Sequence, residues 1–319
     1  KIALCLCGHI GSSFSKSMLV NQSVEISLVN LELSYAHIFN DIINCNKNFE
    51  FDIFIHSWSN EIKEEIIVKF KPKKYYIESI KLDKNREKFE SIKLDKKNKK
   101  LNAHAISRLL GIKIVLNLMK EYVEENKIFY EQVIMCRFDL VLTKPFPLNS
   151  YINNNIKILD GLNRKNKKSP YDHKHYNDIN NRLKIIKKVD FTSLEVKIID
   201  VLFMSSYENM IKFANYYDKL IDVPIWKSHC FCLQIIIDIL KGSKNKIEII
   251  KELYFELLKE GDQITKEYTV LLLKQVYFRN PGVNMEYGTL KGDINCRLLD
   301  IRNLLEKYNI DENIIKKCI

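Results

Sequence analysis

Glycine and proline are scarce in this chain, at 9 and 6 of 319 residues. Tight turns draw on these two residue types. A sandwich or barrel made of many short hairpins is therefore not expected, and an α-rich or α/β protein is. Long apolar runs are also missing. The opening hydrophobic run, residues 2–7, is too short for a membrane span or a signal-peptide core. No Gly-x-x-x-x-Gly-Lys-Ser/Thr, His-Glu-x-x-His or Gly-x-Ser-x-Gly pattern occurs, which removes the main support for NTPase, zincin and α/β-hydrolase readings. Cysteine is present, eight times, but not as a disulfide framework. Cys230 and Cys232 have no second Cys/His pair at zinc spacing after them. Reduced thiols and a soluble, cytoplasmic protein are the expectation.

What is present is an ordinary globular composition, 46% hydrophobic and 29% charged, with a net charge of +11 and a pI near 9.0. A basic balance suits a phosphorylated substrate, an anionic membrane surface or nucleic acid. Much of the excess sits in Lys-rich stretches at residues 93–100 and 164–168, which read as solvated loops. Few aromatics interleave with these lysines, as a single-strand binder would need. Nucleic acid is therefore not expected, while peripheral contact with an anionic membrane remains compatible with the charge.

Along the chain, residues 1–7 read as a buried strand and Gly8-His9-Ile10-Gly11-Ser12-Ser13 as the loop leaving it. Residues 22–43 carry apolar side chains at helical spacing. A second strand, residues 51–55, leads into a loop His56-Ser57-Trp58-Ser59, with Ser59 or Asn60 capping a helix that ends before Pro72. A third strand follows at residues 75–78. This strand–helix alternation predicts an open, mostly parallel sheet. The heptapeptide beginning at Glu78 recurs from Glu90, a local duplication rather than a solenoid. Residues 101–125 predict a long helix, and 132–138 a buried strand that runs into Asp139 and continues through 140–142. Residues 156–159 and 196–204 read as later strands. From Tyr207 onward the pattern is nearly all helical, at 208–220, 228–240, 246–259, 266–277 and 295–315. The implied division is an α/β domain over 1–220 and a helical C-terminal region over 221–319.

In open α/β sheets ligands bind outside the carboxyl ends of the strands, so three segments should meet there. The Gly8–Ser13 loop offers glycines for close backbone approach, together with free N–H groups and hydroxyls suited to phosphate. His56 and Trp58 supply a titratable ring and a stacking surface. Alternation places Arg137 and Asp139 on one side of an otherwise apolar strand. Two buried charges are costly unless they pair or meet a ligand. A diphosphate with a divalent metal would use both, Asp for the metal and Arg for the phosphates; a structural ion pair is the alternative. Asp172, His173 and His175 read as a solvated loop, and Glu267 as a favourable charge at a helix start. His229 opens a helix as a general base, a phosphate ligand or a structural His.

Three motifs carry a resemblance: the start KIALCLCGHI, then FDIFIHSW, then VIMCRFDLVLTKPF. Together they resemble a group of bacterial and large-virus glycosyltransferases. These open with a strand and a Ser-Gly-His-x-Arg type loop, continue with D-[VI]-F-I-H-[TS]-W, and carry an R-x-R-[FP]-D-L strand. The later IIDVLFMSSYENMIKFANYY resembles their segment in which an Asp precedes a strand and a helix packs back. The resemblance covers roughly residues 1–220. It implies a Rossmann-like, GT-A-type mixed and mostly parallel sheet flanked by helices, and transfer of a sugar from a nucleotide-sugar donor to a glycan, lipid-linked or other hydroxyl acceptor. By the same resemblance Gly8 and His9 lie at the nucleotide, His56 and Trp58 near the donor pocket, and Asp139 at the metal or diphosphate; the reading of the loop and strand adds Gly11 and Ser12 at the nucleotide and Arg137 at the diphosphate. Asp139 would also hold manganese or magnesium, and Asp200 would face the acceptor. Gly11 stands where the family pattern has Arg, and Cys136 where it often has Thr or a small residue. These departures favour the rival expectation, a non-catalytic transferase fold that binds glycan or a polyanion.

Overall fold

The computed structural model describes residues 1–10, 24–79, 103–138, 140–142, 145–162, 202–216, 218, 228–241, 243–256 and 270–272. At its centre is β1 (Ile2–Gly8), flanked in parallel by β2 (Phe51–Ser57) and β4 (Gln132–Arg137). A central parallel strand is covered on both faces, which is why residues 2–7 are apolar without alternation. β3 (Lys74–Ile77) pairs parallel with β2 and ends the sheet on that side. One face carries α1 (Val24–His37), which runs into a π-helical turn at Ile38–Ile43, and α2 (Lys63–Phe70). There Tyr35 meets Phe70, and Phe70 meets Phe138, both edge to face. The opposite face is covered by α3 (Ala103–Asn126), whose Met119 and Tyr122 pack on Cys5 and Phe54.

The second half of the sheet continues from β4. β7 (Leu202–Ser205) lies antiparallel between β4 and β6 (Ile156–Leu162). β8 (Ile247–Glu256) runs parallel to β6, β9 (Val270–Leu272) parallel to β8, and β5 (Leu140–Leu142) antiparallel to β9. The order is β3-β2-β1-β4-β7-β6-β8-β9-β5. The result is a mixed, mostly parallel α/β sheet, as expected. Helices α4 (Tyr207–Asn215) and α5 (Ser228–Leu240) complete the described elements. Among the described residues no helix is long and apolar enough to cross a membrane.

Four expectations need correction. Within the expected helices at 246–259 and 266–277, the described residues form strands instead: β8 and β9 lie there and join the same sheet. Of the helical C-terminal part, α5 is present and the segment 295–315 lies outside the described residues. Leu140–Leu142 does not prolong β4. The chain turns at Phe138, and β5 pairs with β9 at the far end of the sheet order. Apolarity persists through the turn because Phe138 is itself fully buried, so composition does not mark the change of direction. His56 and Ser57 belong to β2 rather than to a loop. Ser59 does not cap the following helix; its hydroxyl is committed elsewhere.

The amino ends of the strands are closed by satisfied polar groups. Buried Asp52 accepts a 2.6 Å hydrogen bond from Tyr130 and pairs with the Lys1 ammonium at 3.0 Å. Burial, then that bond, pushes the Tyr130 phenol far above its usual value. Further along, Gln132 Nε2 donates to the Asn153 carbonyl at 2.8 Å, and Asn209 Nδ2 donates to the Asn154 carbonyl and to Ser205 Oγ, both at 3.0 Å. Buried Lys157 donates to the Asn153 carbonyl and to Gln132 Oε1. Burial lowers its ammonium to about 8, opposed by the charge of Glu248. Cys5, Cys7, Cys45, Cys136 and Cys232 form no disulfide.

Candidate functional site

Because β3, β2, β1 and β4 are parallel, their carboxyl ends lie along one edge. The register sets Gly8 beside Ser57, and Cys7 between His56 and Arg137, with Tyr76 beyond His56. Cys7 Sγ contacts Met135 Sδ at 3.7 Å, so by alternation Arg137, two residues after Met135, shares the face of Cys7. Of the three segments expected to meet, the described residues Gly8, His56, Trp58 and Arg137 are neighbours at the end of the sheet.

Gly8 ends β1 with φ of +122°, a conformation that side chains disfavour, and a Cβ built there would meet nothing within 4 Å. The backbone at this point turns out of the sheet with open space above its Cα. Its carbonyl accepts from Trp58 N at 3.3 Å. Two residues on, Ser59 Oγ clasps Ile10 from both sides, accepting from its N–H at 2.8 Å and donating to its carbonyl at 3.1 Å. The first loop and the Trp58–Ser59 segment are thereby held as one unit, with His9 between the two contacts.

His56 is fully buried, and neither ring nitrogen has a hydrogen-bond partner. Its ring is fixed by shape instead. Trp58 stands edge-on at 4.6 Å between centroids, and Tyr76 lies nearly parallel at 6.1 Å. A Cβ on Gly111 would come within 3.0 Å of Nδ1. Glycine inside a helix costs about 1 kcal/mol against alanine, and at Gly111 it makes room for this ring. Nε2 points to Glu78, 3.5 Å from Oε1. His56 thus fills the space between Gly111 of α3 on one side and Glu78 on the other.

Glu78 follows β3, its N–H donating to the Ser57 carbonyl at 3.0 Å. Its Oε2 accepts from the Tyr76 hydroxyl at 3.3 Å. The charge of Glu78, then partial burial, holds the Tyr76 phenol above its ordinary value. Tyr76, Glu78, Gly111 and Ser59 were not singled out as site residues from the sequence. Alternation does place Tyr76 and Glu78 on one face, and their adjacency to His56 was the available signal. The remaining expected residues are placed less fully. Gly11, Ser12, Asp139 and Asp200 lie outside the described residues, as do Asp172, His173, His175 and Glu267. His229 lies in the first turn of α5. The chain enters β7 at the site end, since Leu202 is in register with Cys136. Among the described residues no group of three His, Cys, Asp or Glu side chains is placed to hold a metal ion. Compared with known proteins, the chain matches no family model and no curated protein.

Proposed function

We propose that the chain is a glycosyltransferase that takes a sugar from a nucleoside diphosphate donor and passes it to a hydroxyl acceptor. The observation that carries this reading is the meeting of Gly8, Trp58 and Arg137 at the ends of three adjacent parallel strands, over a buried His56. In the reaction the bond from the sugar's anomeric carbon to the diphosphate breaks, and a bond to the acceptor oxygen forms. Negative charge grows on the leaving diphosphate, and stabilising it is the main task of the site. Gly8, with no side chain over its Cα, lets phosphate oxygens approach the backbone, and Arg137 supplies a fixed positive charge. An inverting enzyme needs a base for the acceptor proton, the role proposed for Asp200 or His229. A divalent cation at Asp139 belongs to the same proposal. The basic surface is compatible with a lipid-linked acceptor at an anionic membrane.

Melting curves with UDP-, GDP- and dTDP-linked sugars, and a CMP-linked sugar as the monophosphate control, with and without manganese, test this. A donor at 100 times its Kd adds about 2.7 kcal/mol of stability. One nucleotide class is expected to raise the melting temperature, and Arg137→Ala and Asp139→Ala to weaken that shift. Folded protein that responds to no donor would favour the non-catalytic reading, which Gly11 in place of Arg already motivates.

A further inference from the structure

We infer that Tyr76 and Glu78 form the base-recognition end of the donor site and that the base they select is guanine. This rests on the nucleotide-sugar reading above and specifies its donor.

The connectivity of the donor gives the placement. Ribose and base extend from the diphosphate on the side opposite the transferred sugar. With the diphosphate at Gly8 and Arg137, the two halves of the donor must run in opposite directions along the row of strand ends. β7, which would bring Asp200 to the acceptor, enters beside β4. The base therefore lies on the other side, toward β2 and β3. β3 stands two strands from β1, about 10 Å at ordinary strand spacing.

Tyr76 and Glu78 offer there what a nucleobase needs. Tyr76 is 48% exposed, and its hydroxyl is held by Glu78 and its ring lies against His56, so it is a positioned stacking surface. The Glu78 side chain is 31% exposed, and each carboxylate oxygen has one neighbour, His56 Nε2 or the Tyr76 hydroxyl. Each oxygen accepts two hydrogen bonds, and His56 Nε2 makes none, so at least one site is left on each. Two adjacent acceptors match two adjacent donors. Guanine presents that pair, its ring N–H and exocyclic amine on one edge. Uracil offers a single N–H between two carbonyl oxygens, which a carboxylate repels, while cytosine and adenine offer an amine beside a bare acceptor nitrogen.

Isothermal titration of the full chain with GDP, IDP, UDP and CDP tests the assignment. GDP is expected to bind roughly tenfold or more tighter than UDP and CDP, as a charged bidentate pair supplies. IDP lacks the exocyclic amine and is expected to lose most of that advantage. Glu78→Gln should erase the preference of GDP over IDP, and Tyr76→Ala should weaken every base. Tighter binding of UDP or CDP, an unchanged GDP/IDP ratio in Glu78→Gln, or indifference of all bases to Tyr76→Ala overturns the guanine assignment and leaves the nucleotide-sugar reading standing. Folded protein that binds none of the four overturns the guanine assignment, and the nucleotide-sugar reading falls with it only if no donor of the melting panel shifts the melting temperature either. If a variant unfolds, the order of the four affinities in the wild type is enough to uphold or overturn guanine.

Discussion

The two ends of the sheet treat buried polar groups in opposite ways. At the amino ends, Asp52 has Tyr130 and Lys1, and Gln132, Lys157, Ser205 and Asn209 bond one another or the carbonyls of Asn153, Asn154 and Asn155. At the carboxyl ends Ser59 is bonded to Ile10, but His56, equally buried, makes no hydrogen bond and only a 3.5 Å contact with Glu78, near a glycine with open space over its Cα. An unsatisfied buried group costs about 1–3 kcal/mol, and a fold keeps such a cost where the arrangement serves something besides stability. One end is built to hold the chain together and the other to leave positions open.

Substitutions can break that contrast, and the largest effect belongs to the amino end. Asp52→Ala strands the Tyr130 hydroxyl and the Lys1 charge and is expected to cost about 3 kcal/mol, read as a lowered urea midpoint with unchanged slope. Lys157 gives the next effect, through pH. Its folded-state value of about 8 lies below the 10.5 of a free lysine. Between these values the unfolded chain holds a proton that the folded chain has released, so stability rises with pH across this window. The ceiling is ~3 kcal/mol. Unfolding measured at pH 7.5, 9 and 10.5 should show this rise in the wild type relative to Lys157→Met. His56→Leu should change stability least, within about 1 kcal/mol, because it removes two unbonded nitrogens with the ring. It should nonetheless reduce the melting shift given by a nucleotide-sugar. A loss at His56→Leu as large as that at Asp52→Ala would erase the distinction between the two ends.

The half of the sheet built from near neighbours was legible in the sequence. β1, β2, β3 and α3 follow from apolar runs and helical spacing, and their parallel order places Gly8, His56 and Arg137 together. The far half was not. In β8 the pairing with β6 jumps from Ile250, opposite Leu159, to Tyr254, opposite Asp160, leaving residues 251–253 out of register. Such a bulge interrupts the two-residue alternation, and the spacing of Ile247, Ile250 and Tyr254 then imitates a helix. β9 is three residues long, too short for any period to show. Tyr76 and Glu78 were hidden differently. Each is ordinary in sequence, and their meaning comes from the neighbouring strand that sets His56 beside them.

The turn after β4 has a consequence for the shape of the whole sheet. Arg137 ends β4 and Leu140 begins β5, so three peptide links join them and span at most about 11 Å. In strand order, however, β5 is five places from β4, about 24 Å away if the sheet were flat. A tether that short forbids a flat sheet. The far strands must curl back until β5 comes under the end of β4, on the side where α1 and its π-helical turn meet β5. Arg137 is thus tied by a short link to the last strand of the curl. The residues nearest to Arg137 along the chain on that side are therefore those of β5, and β9 is the strand paired with it.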